Sequence, residues 1–410
     1  MKTLLAAAWV APMDSPIIRD GGVVHAEGKI IAAGPVKALK RSYPEAIVEH
    51  LGQALLLPGL VNPHTHLELS DCVSGAPPTA GFAEWLVRML QRGAAAPEEI
   101  TGTVTRAVGL GAAQCMGFGV TTVGDISRWV DVTRPLLRNA PLRVVSYGEV
   151  TAMGQRRALL DERISLAIDQ RHAGERLRIG LTPHAPYSVE APAYESCLRV
   201  ARERNLPLAT HLSESADERE FLAEHGGPLR GMWDRHLPWD EQVPRHPDGP
   251  IAMAGAIGLF DYPTLLAHVN YCDDNEMALL ARGRASVVYC PRTHHYFGHR
   301  PHRWREMLAA GINVAVGTDS CASSPDLNLV DDLRLLHEIA PDVPAETLWE
   351  TATIRAARAV QMHDALGTIA PGKHADFVAF TAASDNALTT ILEDKSQRPT
   401  AAWIASTRVL

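Results

Sequence analysis

The 410-residue chain has no lysine between Lys40 and Lys373. A bridge between two metal ions built on a carboxylated lysine is therefore excluded from its whole middle. The six cysteines, Cys72, Cys115, Cys197, Cys272, Cys290 and Cys321, are scattered, with no Cys-x-x-Cys and no regular spacing. They read as reduced, mostly buried thiols of a cytoplasmic protein. No apolar stretch reaches the about 20 residues that a bilayer-spanning helix needs. The opening "MKTLLAAAWVAPM" looks like a leader, but its apolar run is short and carries Trp9. It continues straight into "RDGGVVHAEGKIIAAG", which alternates like hairpin strands around a Glu-Gly turn. Lys+Arg number 39 against 47 Asp+Glu, a net charge of -8, so there is no electrostatic footprint for nucleic acid or an anionic membrane.

What is present is ordinary globular material, 46% hydrophobic and 21% charged, which argues against disorder. Between Leu55 and Thr318 short apolar runs recur: "ALLLPGL", "GVTTVGDI", "LRVVSYGEV", "RIGLTPHAP", "LPLATHL", "TLLAHVNY", "ASVVYCP" and "INVAVGTDS". Segments of helical periodicity, such as "APAYESCLRVARERN" and "DNEMALLARG", lie between them. Alternating strands and helices predict a parallel sheet, and eight repeats predict an α/β fold, a closed (β/α)8 TIM-like barrel, over residues 55–365. Residues 1–54 and 366–410 are short strands and turns, read as one small β-sandwich domain built from both ends of the chain. The proline-rich "PWDEQVPRHPDG" before the sixth run is a lid or a partner surface.

Five of the eight runs end in residues that bind metals or move protons. "PGLVNPHTHLELS" places His64 and His66 one residue apart, a spacing that aims both to the same face of a strand. The other ends carry His184, His211, His268 and Asp319. Barrel enzymes build their sites at the C-terminal ends of the strands, so these residues are expected at one mouth. Three imidazoles and a carboxylate, His64, His66, His211 and Asp319, suit Zn²⁺ or Fe²⁺ with a position left for water. Glu214, three residues past His211 in "THLSE", is placed to shuttle protons beside the metal, with His268 and His184 completing the wall.

"GLVNPHTHLEL", "TPHAPYS", "THLSES", "LAHVNY", "CPRTH" and "VAVGTDSCAS" resemble, in order and spacing, the motifs of the amidohydrolase superfamily. The nearest branch is the cytosine deaminase and chlorohydrolase group, which includes adenosine-type and S-adenosylhomocysteine deaminases. The resemblance extends to "LGTIAPGKHADFV" near the end of the chain. It implies one divalent ion per chain, zinc ahead of iron, since the lysine bridge of binuclear members cannot form and Glu149, the only obvious substitute, is expected in a structural or substrate-contacting role. It further implies hydrolytic deamination of an amino-substituted N-heterocycle. Asp319 would take a proton from the activated water, Glu214 would protonate a ring nitrogen, and His268 would polarise the attacked centre or orient the water. The separate zinc signature His-x-Glu with Pro-Cys-x-x-Cys is absent.

Two stretches bear on the substrate. In nucleoside-deaminating relatives a segment similar to "GFAEWLVRML" caps the pocket, which maps Glu84 to ribose hydroxyls beside Trp85. "CPRTHHYFGHRPH" departs from the group's Cys-Pro-x-Ser-Asn, and Arg292 and His294 are expected to recognise an acidic group there. An adenine nucleoside with a carboxylate, such as aminodeoxyfutalosine, suits both stretches. The rival activities on the same site are chloride release and opening of a cyclic amide or imidazolone. Partners are thus a small heterocyclic amine or nucleoside and, for assembly, a homodimer.

Overall fold

The computed structural model describes residues 1–77, 79, 81–384 and 386–410. The barrel strands are Leu60–Thr65, Val120–Ser127, Arg143–Val150, Leu177–Pro183, Leu208–Leu212, Thr264–His268, Ser286–Tyr289 and Asn313–Val316. Consecutive members pair in parallel. The ring closes between the eighth strand and the first. The Asp319 amide donates to the His64 carbonyl at 3.1 Å, and Asn62 Nδ2 donates to Thr318 Oγ1 at 2.8 Å. Inside, Val61, Ile126, Val145, Tyr147, Leu265, Val288 and Ala315 pack into an apolar plug. The interior is therefore a packed core.

The intervening helices follow from local sequence. Ala191–Arg204 buries Ala193, Tyr194, Cys197, Leu198 and Ala201, one stripe at helical spacing, and ends on Asn205 in the left-handed region. Asp274–Arg282 opens with a capping box, the Asp273 side chain accepting from the Glu276 amide while Glu276 accepts from the Asp273 amide.

The first apolar run is divided between two sheets. Leu55 to Pro58 ends a long strand, Ile47–Pro58, that pairs with Thr3–Val10 and with Phe377–Thr381. The barrel starts only after Gly59. A side chain at Gly59 would have its Cβ 2.2 Å from Thr121 Oγ1, so only glycine lets the chain pass so close to the second barrel strand. The strands from the two flanks form one mixed seven-stranded sheet, in the order Thr407–Arg408, Pro399–Ile404, Phe377–Thr381, Ile47–Pro58, Thr3–Val10, Ile18–Ala26 and Lys29–Pro35. The expected hairpin turn is there, with Glu27 and Gly28 both at positive φ. A buried ion pair ties this sheet to the barrel, Arg143 Nε donating to Asp376 Oδ2 at 2.6 Å.

The proline-rich stretch before the sixth barrel strand packs down. Trp239 lies 5.7 Å from Phe221 and 6.0 Å from Trp233 between ring centroids, and the Arg230 guanidinium sits 4.3 Å over its ring. Among the described residues no helix is long and apolar enough to cross a membrane.

Candidate active site

His64 lies near the end of the first barrel strand and His66 just beyond it. His211 and His268 lie at the ends of the fifth and sixth strands, and Asp319 follows the eighth. The barrel brings all five together. His66 Nε2 is 3.3 Å from His211 Nε2, and Asp319 Oδ1 is 3.6 Å from His64 Nε2 and 3.5 Å from His66 Nε2. Bonds of 2.0–2.1 Å to a tetrahedral ion place the ligand atoms about 3.3–3.4 Å apart. The spacing found is that of donors converging on one centre.

The protonation states agree. Burial, with neighbouring histidines, holds His64 and His66 well below their ordinary value, and burial brings His211 down to about 4. All three are neutral at pH 7. His211 Nδ1 is 2.9 Å from the His184 carbonyl. A carbonyl only accepts, so the proton is on Nδ1 and the Nε2 lone pair faces His66. Both nitrogens of His64 are buried without a hydrogen-bond partner among the described residues, an arrangement that costs free energy unless an ion takes a lone pair. Burial raises the Asp319 carboxyl to about 6, while Ser323 Oγ donates to its Oδ2 at 3.2 Å. Buried neutral imidazoles and a carboxylate at this spacing fit a divalent metal ion. The close groups of metal-type donors among the described residues are His64, His66 and His211, and His64, His268 and Asp319; both contain His64.

Glu214 stands beside this cluster. Its Oε1 is 3.5 Å from His268 Nε2, and its Oε2 accepts from the Tyr187 hydroxyl at 3.3 Å. Burial first, then the charges of Asp319 and Glu218, raise its carboxyl well above the usual range. The bend that presents it is held by Glu218, which accepts from the Ser213 and Glu214 amides at 3.0 and 2.8 Å.

A cavity of about 430 Å³ reaches the cluster at His66. His66, His184 and Tyr187 line its inner end. Trp85, Trp129 and Trp233 supply aromatic wall, and Glu99, Glu149, Arg128 and Arg156 supply charge. Trp85 is fixed by donating from Nε1 to the Ala322 carbonyl at 3.2 Å. Burial lowers Arg156, with the charge of Arg128 adding to it, and burial raises Glu149. Glu149 does not belong to either close group of metal-type donors among the described residues.

Three residues expected at the substrate are placed elsewhere. Glu84 is on the outer side of its helix, 2.9 Å from Arg88, and off the cavity wall. Arg292 spends its donors on Asp332 Oδ2 at 2.9 Å, Asp326 Oδ1 at 2.6 Å and the Asn328 carbonyl at 3.1 Å. Asp332 is fully buried, and an uncompensated charge there is far costlier than a solvated one; this is why Arg292 turns inward. His294 Nε2 donates to the Arg300 carbonyl at 2.9 Å, its ring edge-on to Tyr289. Trp85 and His184 do line the cavity.

Sequence reasoning missed Glu99, Arg128, Arg156 and Tyr187. Tyr187 was in plain view three residues after His184 in "TPHAPYS", and Arg128 two residues past a strand-end aspartate-isoleucine pair. Arg128 and Trp129 are delivered by Glu68, which accepts from both their amides at 3.1 and 3.3 Å.

A mouth that gathers metal-type donors, and beside them a carboxylic acid whose pKa burial raises, has the layout of a metal-assisted hydrolase. The chain belongs to the amidohydrolase family, whose model matches residues 55–407. It is 31% identical to the aminodeoxyfutalosine deaminase of Deinococcus radiodurans, over 83% of this chain and 81% of that one. It is 28% identical to a 5-methylthioadenosine/S-adenosylhomocysteine deaminase of Nitratidesulfovibrio vulgaris, over 93% and 84%. Among solved structures, Helicobacter pylori aminofutalosine deaminase in complex with methylthio-coformycin superposes with a TM-score of 0.87 at 23% identity, covering all of both chains. Atrazine chlorohydrolase TrzN of Arthrobacter aurescens superposes with a TM-score of 0.81 at 21% identity, covering 100% of this chain and 95% of that one.

Proposed function

We propose that the chain is a hydrolytic deaminase that releases ammonia from the exocyclic amine of an adenine-type nucleoside bearing an acidic substituent, aminodeoxyfutalosine being the best candidate. The observation that carries this reading is one cavity whose wall joins His66 of the metal-type donor cluster, and Tyr187, which donates to Glu214, to Arg128 and Arg156. Its volume lies in the range of small-molecule sites. The tryptophans suit a flat heteroaromatic base, Glu99 suits ribose hydroxyls, and the two guanidiniums suit a carboxylate.

His64, His66, His211 and Asp319 would hold one ion, zinc ahead of iron; when bound, it lowers the pKa of a coordinated water towards neutrality. Glu214, whose carboxyl burial holds well above the usual carboxylate range, donates a proton to the ring nitrogen next to the amine-bearing carbon. That carbon becomes electrophilic, water adds to it, and Asp319 accepts a proton from the water. A proton delivered to the amine lets ammonia leave, so amine plus water becomes carbonyl plus ammonia. His268, 3.5 Å from Glu214, orients the groups around the attacked carbon. Residues 1–54 with 366–410, beside the barrel, act as a small supporting domain. The free state of all six cysteines supports a cytoplasmic setting, and a homodimer is expected by light scattering.

The test is ammonia release from aminodeoxyfutalosine, methylthioadenosine, S-adenosylhomocysteine, adenosine and cytosine, with chloride release from atrazine in parallel. The acidic nucleosides should give the highest kcat/KM. Chloride release without ammonia would replace the reading with its alternative, a chlorohydrolase.

A further inference from the structure

The sixth barrel strand ends in a turn that L-residues rarely adopt. His268 has φ +72° and the next residue, β-branched Val269, φ +51°. A valine in the left-handed region persists only where its surroundings impose it. On one side they do so through the loop that carries Glu214. The Val269 amide donates to the Leu212 carbonyl at 2.9 Å and the Asn270 amide to the Ser213 carbonyl at 2.9 Å. Asn270 Nδ2 donates to the Glu214 carbonyl at 2.9 Å.

The other side faces the seventh strand, whose pairing with the sixth stops at Ala267 and Val288, one residue short of His268. There the segment after the Pro291–Phe297 helix turns back, through Gly298 at φ +66°, and brings in His302. Its Nε2 lies 2.9 Å from the His268 carbonyl. Its ring stacks on Tyr289, the end residue of the seventh strand, with centroids 4.0 Å apart and planes 16° apart. Since the carbonyl only accepts, Nε2 carries the proton, and Nδ1 is bare. Nδ1 is buried and has no hydrogen-bond partner among the described residues, as that tautomer requires. Burial lowers this imidazole to about 3, so it is neutral through the working pH range.

We propose that His302 is a positioning residue: by donating to the His268 carbonyl while stacked on Tyr289, it holds the left-handed turn that aims the His268 imidazole at Glu214. The histidine-rich stretch thus serves the reaction from behind the strand end, without touching the substrate. This rests on the reading of His268 as a participant in catalysis.

The experiment compares His302→Phe and His302→Gln, each alone and with His268→Ala, using methylthioadenosine or whichever nucleoside of the panel is turned over. Phenylalanine keeps the stack and loses the donor; glutamine carries an amide nitrogen to about the place of Nε2. His302→Phe should lower kcat by about 10- to 100-fold, the usual effect of losing a group that orients an active-site ligand, with KM and metal content kept. His302→Gln should recover most of it. In the His268→Ala background His302→Phe should cost nothing more, because the two residues act through one contact. Wild-type kcat in His302→Phe, or the same loss in both backgrounds, overturns the proposal. Wild-type turnover in His268→Ala alone would instead sink the role of His268. Should the phenylalanine variant not fold, His302→Asn, too short to reach the carbonyl, takes its place in the comparison. Independently of activity, nitrogen NMR of histidine-labelled, metal-free protein must find the His302 proton on Nε2; a proton on Nδ1 overturns the proposal.

Discussion

Glu214 is held through its backbone amide by Glu218, and burial raises its carboxyl well above the usual range, which favours a proton donor over a ligand. Glu214→Gln keeps size and hydrogen bonds but removes the transferable proton. Turnover should fall by about 10²- to 10⁴-fold, with metal content by elemental analysis and thermal unfolding unchanged. Loss of metal in that variant would make Glu214 a ligand. Arg156→Ala should raise KM for a carboxylate-bearing nucleoside by about 10- to 100-fold, the worth of one charged hydrogen bond, and leave adenosine largely unaffected. Equal losses on both substrates would show that Arg156 shapes the cavity without reading charge. At this scale the histidines, Asp319 and Glu214 were legible because they sit at strand ends, where a barrel has one place to put them. Glu99, Arg128 and Arg156 were not: each is a charged residue on a helix or loop of unremarkable pattern, and only packing decides whether it faces water or the cavity. The same ambiguity holds for Arg292, whose guanidinium is paired with Asp326 and Asp332.

Elements were easier to read than their membership. All eight apolar runs contain strand residues because a parallel barrel strand is buried on both faces and must be apolar throughout. That same uniformity hid the division of "ALLLPGL": both halves are buried, one in the terminal sheet and one in the barrel, and only the Pro58-Gly59 break marked the change. The helices Pro291–Phe297 and Leu329–Ile339 are joined by the pairing of Arg292 with buried Asp332. Arg292→Ala should therefore lower the thermal midpoint, with a loss of about 3–5 kcal/mol as is usual when one partner of a buried pair is removed. KM for the acidic nucleoside should stay as it was. A raised KM at unchanged stability would return Arg292 to the substrate.

For the molecule as a whole, the donor cluster closes the barrel as well as equipping it, since Asp319 and His64 belong to the eighth-to-first seam. Removing metal with a chelator should lower the thermal midpoint, and adding back zinc to one equivalent should restore it. An ion at a thousand times its dissociation constant stabilises by about 4 kcal/mol. A stoichiometry near two per chain by elemental analysis would refute the single site and bring Glu149 in as a bridge.

The long strand Ile47–Pro58 takes one neighbour from residues 3–10 and the other from residues 377–381. On the ribosome, the first half of that sheet emerges with a bare edge, and hundreds of residues of barrel follow before its partner strand appears. Unpaired edges recruit strands from other chains, so the nascent protein is exposed to mispairing for most of its synthesis. Polypeptides stopped between Val316 and Phe377 should accumulate in the insoluble fraction even though the barrel strands are all present.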